Sequence, residues 1–158
     1  MRHKILTALA ILPALFMAVA TFGQSQKAEL ETARAELQAG RDRIIREDLQ
    51  LSGDELSGFW PVYEQYVADL AVIRDRKSIL VSRFLEAYRG GEFTDEFAEW
   101  LIAENFAIKD AWVGVQKSYV ERFKTVLSVQ QVARFFQLEN KLDAEVDAQL
   151  ALIVPLVE

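Results

Sequence analysis

Apolar residues recur along most of the chain at intervals of three and four, the spacing that places them on one face of an α-helix. No segment alternates apolar and polar residues over the length of a strand. Residues typical of helix caps and a Gly-Gly pair interrupt the helical pattern. The sequence therefore predicts an all-α fold, with a single helical domain over residues 21–158 and four helices at about residues 25–49, 53–88, 95–126 and 129–154.

A short loop around Gly90 and Gly91 joins the second and third predicted helices. Because so short a loop makes its helices antiparallel, we expect a long, coiled-coil-like helical hairpin on which the other two helices pack. Pro61 lies two turns into the second helix, and its missing N–H predicts a kink there. The heptad seams of the second helix are Leu56, Tyr63, Leu70, Lys77 and Phe84, and Phe59, Tyr66, Ile73 and Leu80. The seam of the third helix is Ala98, Leu101, Asn105, Ile108, Trp112, Val115, Tyr119, Arg122 and Val126.

The outer helices carry single apolar stripes. In the first helix the stripe is Leu30, Ala33, Leu37 and Ile44. In the fourth it is Phe135, Leu138, Leu142, Val146, Leu150 and Ile153. Pro155 stops the fourth helix, and the apolar residues 153–157 are expected to pack on the body of the protein or on a second subunit. Within the hairpin, antiparallel pairing predicts an ion pair between Lys77 and Glu104.

Two helix starts carry the same local motif, a Ser followed three residues later by Glu or Gln and preceded by Leu. This spacing is typical of a capping box with a hydrophobic staple. The residues are Leu51, Ser52 and Glu55 at the second helix, and Leu127, Ser128 and Gln131 at the fourth.

The first 20 residues have the pattern of a secretory signal peptide: a basic start, an apolar stretch and a small-residue site at Ala18-Val19-Ala20. The alternative is an uncleaved membrane anchor. Cleavage would remove Arg2 and Lys4 and no acid, so the formal net charge would change from −6 to −8. Such an acidic chain is a poor ligand for nucleic acid or for an anionic membrane surface. Export without any cysteine favours a periplasmic location and no membrane association after cleavage.

The two Leu-Ser motifs resemble the paired Leu-Thr-x-x-Gln motifs of the Spy/CpxP-like periplasmic proteins, with Ser52 and Ser128 in the place of Thr and Glu55 in the place of one Gln. The segments 59–63 and 134–141 are similar to a poorly characterised bacterial subgroup of exported helical proteins. The resemblance implies an all-helical, often dimeric protein that acts as an ATP-independent holdase, as an envelope-stress regulator binding a sensor, or as a metal-responsive accessory. The metal-responsive members use His-rich segments, whereas His3 here falls within the signal peptide.

The mature chain lacks the residues of the common catalytic sites. Without Cys or His it cannot form a Cys–His or Ser–His–Asp site, and structural zinc sites usually need the same residues. There is no glycine-rich phosphate loop. We therefore expect neither an enzyme nor a cofactor or metal site.

The expected function is protein binding. A second apolar line on the third helix packs the first or fourth helix of the same chain, or forms a dimer interface or a client-binding face. Trp100 lies off the seam, and Trp is frequent at binding hot spots. Arg134, Glu139 and Lys141 form either a surface ion-pair network or a charged recognition edge. The candidate interaction surface is Trp100, Ile102, Phe106, Val113, Val120, Arg134, Glu139 and Lys141. We expect a holdase-type chaperone or stress adaptor for unfolded or envelope proteins, or alternatively an accessory subunit for one sensor or structural partner.

Overall fold

The computed structural model describes residues 25–157, without the side chains of residues 25–28, 30 and 153. The predicted signal peptide lies outside the described residues. Residues 25–157 form four helices, α1 (Ser25–Leu49), α2 (Gly53–Gly90), α3 (Asp95–Lys124) and α4 (Val129–Ile153). No residue between 25 and 157 is in a strand, so the predicted all-α fold is confirmed. Over the same residues, no helix is apolar over a length sufficient to cross a bilayer.

The described residues fall into two compact units. The first unit holds α1 and the middle of α4, residues 134–149. The second, the hairpin unit, holds residues 52–133 and 150–157. Both units therefore share one helix, α4, which a division of the sequence into consecutive segments does not reveal.

The hairpin unit is built on α2 and α3, which run antiparallel. Asp69 of α2 accepts a hydrogen bond from Tyr119 of α3. Arg76, which comes later in α2, donates a hydrogen bond to Glu104, which comes earlier in α3. The helix α2 continues without interruption through Pro61. Both predicted seams of α2 face the core, because Leu56 and Lys77 are half-buried and every other seam residue is buried. The buried ones are Phe59, Tyr63, Tyr66, Leu70, Ile73, Leu80 and Phe84.

The predicted seam of α3 is correct at Ile108 and Tyr119, which are buried, and wrong at its C-terminal end. Arg122 is exposed, and Phe123 is completely buried in its place. The ring of Phe123 lies 5.6 Å from that of Phe59. An aromatic residue one position further along the helix therefore displaces the arginine, which keeps its charge in water.

The turn between α2 and α3 depends on backbone geometry that glycine supplies. Gly91 has φ 67°, in the left-handed region that residues with a Cβ rarely adopt, and its N–H donates to the carbonyl of Ala87. Thr94 then caps α3, because its hydroxyl accepts a hydrogen bond from the N–H of Phe97 at 3.2 Å. The chain thus reverses direction within a few residues.

One of the two predicted capping boxes is present. The hydroxyl of Ser128 accepts from the N–H of Gln131 at 3.3 Å, and the Gln131 side chain accepts from the N–H of Ser128 at 2.8 Å. Ser52 also stands at an N-cap, but its side chain makes no cap hydrogen bond. The residue after Ser52 is Gly53, with φ 54°. Because Ser52 makes no cap hydrogen bond, the predicted box at α2 is wrong.

The first unit joins α1 to the middle of α4. Its buried apolar residues include Phe135, Leu138 and Leu142, as the α4 stripe predicted. In α1, however, Ile45 is completely buried, whereas Ile44, the predicted stripe residue, is half-buried. Charged residues on α1 and α4 also bond each other across this unit.

Candidate interaction surface

The second apolar line of α3 lies at the surface. We call Ile102, Phe106, Val113 and Val120 the α3 line. Ile102 and Phe106 are each 59% exposed and Val113 is 43% exposed, while Val120 is half-buried. The first three of these residues are therefore exposed.

Charged side chains border the α3 line. The ammonium of Lys109 lies 5.5 Å from the ring centroid of Phe106, on the same helix. Asp110 and Glu99 are exposed on the turns beside it. An exposed apolar strip with a charged rim is typical of a surface that contacts another protein.

Trp100, a candidate contact residue, is half-buried rather than open to solvent. The guanidinium of Arg83, on α2, lies 4.2 Å from the centroid of its ring, which is cation–π geometry. The ring of Phe97, one turn earlier in α3, lies 5.4 Å from the ring of Trp100. Trp100 therefore helps to fasten α3 to α2, and only part of its ring is available to a partner.

An open groove of about 350 Å³ adjoins the α3 line at Ile102. Its walls come from the end of α2, the first half of α3 and the tail, which we define as residues 154–157. The lining residues of the helices are Leu80, Val81, Phe84, Leu101, Ile102 and Asn105. The sequence predicted that the tail packs on the body or on a second subunit, and the tail lies beside the hairpin of its own chain. Its last two apolar residues nevertheless remain exposed, Leu156 at 87% and Val157 at 53%.

The three charged candidates on α4, Arg134, Glu139 and Lys141, lie in the first unit, and their surroundings differ from one another. Arg134 donates two hydrogen bonds to the carboxylate of Asp48, at 2.7 and 2.8 Å, and these bonds raise the pKa of its guanidinium. Lys141 is exposed. Glu139 is only 1% exposed, so its assignment to a surface is wrong.

Glu139 is buried because Arg41 neutralises it. One terminal nitrogen of Arg41 lies 3.0 Å from Glu139 and 2.9 Å from Asp143. Burial disfavours the charged guanidinium, but the two carboxylates more than offset this effect and raise the pKa of Arg41. Residue spacing does not reveal this role of Arg41, because it depends on acidic residues of another helix, Glu139 and Asp143.

The hairpin unit has its own polar contacts. Glu104 forms an ion pair with Arg76 at 2.9 Å, next to the predicted partner Lys77. The hydroxyl of Tyr119 donates to Asp69 at 2.6 Å, and Arg122 donates to Gln65. These bonds tie α3 to α2 along the flanks of the aromatic core.

The part of the chain between residues 25 and 157 contains no group of three or more His, Cys, Asp or Glu side chains that could hold a metal ion. The clusters described above are explained by helix packing and by charge neutralisation. Among the described residues, the α3 line and the groove have no internal role, and single apolar side chains at Val72, Ile79, Val129 and Leu152 are also exposed. Comparison of the chain with protein-family models, with curated proteins and with solved structures finds no match.

Proposed function

We propose that the chain is a non-enzymatic interaction protein of the bacterial periplasm, which binds unfolded or envelope proteins as a holdase-type chaperone or an envelope-stress adaptor. The observation that carries the proposal is the exposure of Ile102, Phe106 and Val113 along one face of α3, at 59%, 59% and 43%. Removing such side chains from water is favourable, and within the described chain nothing removes them.

The energetic gain available from this face is substantial. Complete burial of a Val, Ile or Phe side chain is worth about 1.5–3 kcal/mol relative to full exposure. A partner that covers the α3 line gains part of this amount at each of three positions. The flanking Lys109 and Asp110 keep the face hydrated when it is free and leave room for polar contacts at its rim.

The charge of the chain supports a protein partner. A formal net charge of −6, or −8 after removal of residues 1–20, opposes binding to phosphate backbones and to anionic lipid. The same charge keeps a protein with an exposed apolar face soluble. Export, and with it the periplasmic location, rests on the signal-peptide pattern of residues 1–20 and on the resemblance to the Spy/CpxP-like proteins.

An aggregation-suppression assay tests the proposal. The exported protein is titrated against two unrelated proteins that aggregate after dilution from denaturant, and light scattering is followed. We expect suppression at a small molar excess, and we expect Phe106→Ser to reduce it several-fold. Ile79→Ser is the matched control, since Ile79 is 57% exposed on α2 and lies outside the α3 line. No suppression at several-fold excess would refute the holdase function.

The alternative function is a regulatory or accessory subunit that binds one sensor or structural partner. The observation that favours it is the groove beside Ile102, because an apolar groove with a fixed set of lining residues fits a single defined segment better than varied unfolded chains. A purified-component binding assay separates the two functions: a holdase binds both unfolded test proteins, and an accessory subunit binds neither. A homodimer through the α3 line would show twice the mass in light scattering, and Phe106→Ser would return it to the monomer. A metal-responsive role is the least favoured alternative.

A further inference from the structure

We propose that a second copy of this chain covers the α3 line, with the two α3 helices packed antiparallel about a two-fold axis. The inference rests on the proposed function, because the second copy and a bound partner protein use the same side chains, Ile102, Phe106 and Val113. It goes beyond that function by naming what occupies this face when no other protein is bound, and by making self-association a control on partner binding.

The charge of the exposed face of α3 changes sign from one end of the helix to the other. Asp95 and Glu99 stand near its start, and Lys117 and Lys124 stand near its end. All four are exposed, and they continue the α3 line at intervals of three and four residues, so they share its face. Lys124 also pairs with Glu121 of its own helix at 2.7 Å, so the argument depends chiefly on Glu99 and Lys117.

This order of charges is self-complementary only when the two helices run in opposite directions. If Phe106 of each copy stands level with Val113 of the other, Glu99 of one copy lies within one turn of Lys117 of the other. A parallel pairing instead places Glu99 opposite Glu99 and Lys117 opposite Lys117, where like charges repel. Charge complementarity therefore favours an antiparallel second copy over a parallel one. An unfolded client has no fixed order of charges to match this face.

Apolar contact supplies the rest of the attraction. Ile102, Phe106 and Val113 of each copy leave water when the two faces meet. The charged residues between Phe106 and Val113 are Lys109 and Asp110, which have opposite signs, so the middle of the face has no net charge. The helix has 30 residues, and paired along its whole length it gives a contact about 45 Å long.

Self-pairing and partner binding exclude each other, because one set of side chains cannot be covered twice. The α3 line is then available to a partner only in the monomer. Dilution of the protein, or an excess of the partner, shifts the equilibrium toward the open form by mass action. The dimer thus keeps the apolar face covered when no partner is present.

Charge reversal tests the arrangement in the exported protein, with sedimentation equilibrium as the measure of the dimer dissociation constant. Glu99→Lys and Lys117→Glu each place like charges at a contact that a two-fold dimer contains twice, so each should weaken self-association about tenfold or more. The double variant has opposite charges again and should restore it. Glu96→Lys is the matched control, since it makes the same change in the first turns of α3 outside the spacing of the α3 line, and it should leave self-association unchanged.

Mixing the two single variants gives a second test. Glu99→Lys chains carry lysine at both positions, and Lys117→Glu chains carry glutamate at both, so each variant repels itself and complements the other. We expect an equimolar mixture to form dimers at a concentration at which each variant alone is monomeric. Circular dichroism and the unfolding midpoint confirm that each variant is folded.

Three results would overturn the inference. They are an unchanged chain that stays monomeric at millimolar concentration, single variants that dimerise as tightly as the unchanged chain, or a double variant that does not recover. The first would assign the α3 line to a different protein, and the second would place the dimer contact elsewhere or make it parallel. Failure of self-pairing is distinguishable from failure of the proposed function. A monomeric chain that suppresses aggregation contradicts only the self-pairing, whereas a dimer that responds to charge reversal as expected but never suppresses aggregation contradicts only the holdase function.

Discussion

The side-chain amide of Gln131 donates from Nε2 to Oε1 of Glu55 at 2.9 Å, so the two Leu-Ser motifs contact each other in the hairpin unit. The oxygen of the same amide closes the capping box of α4 on the N–H of Ser128. Gln131 thus uses its acceptor within its own helix and its donor on α2. Glu55, which forms no box of its own with Ser52, serves as the acceptor for the other motif.

This contact predicts that a second Glu in place of Gln131 destabilises the protein, whereas swapping the two residues between the positions is tolerated. Gln131→Glu keeps an acceptor for the capping box and faces Glu55 with a second carboxylate, so we expect a loss of about 1–2 kcal/mol in the free energy of unfolding. The double variant with Glu55→Gln restores a donor opposite an acceptor and should recover most of the loss. Urea unfolding at pH 7 measures both. Gln130→Glu, at the exposed neighbouring position, is the control and should change little. Failure of the double variant to recover would show that the contact is unimportant.

The seams of α2 could be predicted from the sequence because hydrophobic periodicity is a local property. Phe59 and Phe84 stand at heptad positions whatever the partner helix is, and both are buried. Phe123 was missed because it competes with Arg122 for one position, and the facing rings of Phe59 and Tyr66 on α2 favour Phe123.

The misassigned groups depend on contacts or backbone angles that residue spacing does not contain. Ser52 and Ser128 have equivalent spacing to their partners, but Ser52 is followed by the left-handed Gly53 and makes no cap hydrogen bond. Glu139 looks like a surface acid until Arg41, 98 residues away in sequence, is placed against it. The sequence left open whether the α3 line packs within the chain or forms a contact surface. Its solvent exposure depends on how the helices pack, which the spacing of residues does not contain.

Because Arg41 and Glu139 form a buried ion pair, the free energy of unfolding should depend strongly on both charges. Arg41→Met leaves Glu139 and Asp143 without their shared cation, and Glu139 is only 1% exposed. We expect unfolding to become easier by about 3–5 kcal/mol, since one charge is left uncompensated in the interior. The double variant Arg41→Met, Glu139→Met should recover a large part of this loss. Thermal and urea unfolding give the values.

The control for this pair is Arg134→Met, which breaks a bidentate ion pair with Asp48 at the surface of the same unit. It should have little effect, because exposed ion pairs are screened by solvent. Equal losses for Arg41→Met and Arg134→Met would mean that burial does not strengthen the Arg41 contacts.

Two glycines in the hairpin unit predict opposite results for the same substitution. A Cβ on Gly58 would lie 2.9 Å from Cγ1 of Val126 and 3.2 Å from its Cβ. Because the branched valine cannot easily move, Gly58→Ala should cost about 1–3 kcal/mol, and adding Val126→Ala should relieve much of the cost. Gly114→Ala meets nothing within 4 Å in the middle of α3 and should stabilise by about 0.5–1 kcal/mol. Chemical denaturation compares the three variants, and a stabilising Gly58→Ala would contradict the close approach.

The phenol of Tyr119 predicts a loss of stability at alkaline pH. Its burial and its hydrogen bond to Asp69 raise its pKa in the folded protein. The folded chain therefore keeps this proton at a pH where the unfolded chain, with an ordinary tyrosine pKa of about 10, begins to release it. The stabilisation that comes from this difference in pKa is fully present below about pH 10 and is lost as the pH rises through the pKa of Tyr119 in the folded protein.

Urea unfolding between pH 8 and 11 tests this expectation. The free energy of unfolding should fall more steeply above about pH 10 in the unchanged chain than in Tyr119→Phe, which has no phenol to titrate at this position. At pH 8 the same variant should be less stable by about 1 kcal/mol, because the hydrogen bond to Asp69 is gone. Tyr88→Phe, near the end of α2 at a position that is 37% exposed, should keep the steep profile of the unchanged chain. Identical profiles for Tyr119→Phe and the unchanged chain would exclude Tyr119 as the source of the alkaline sensitivity.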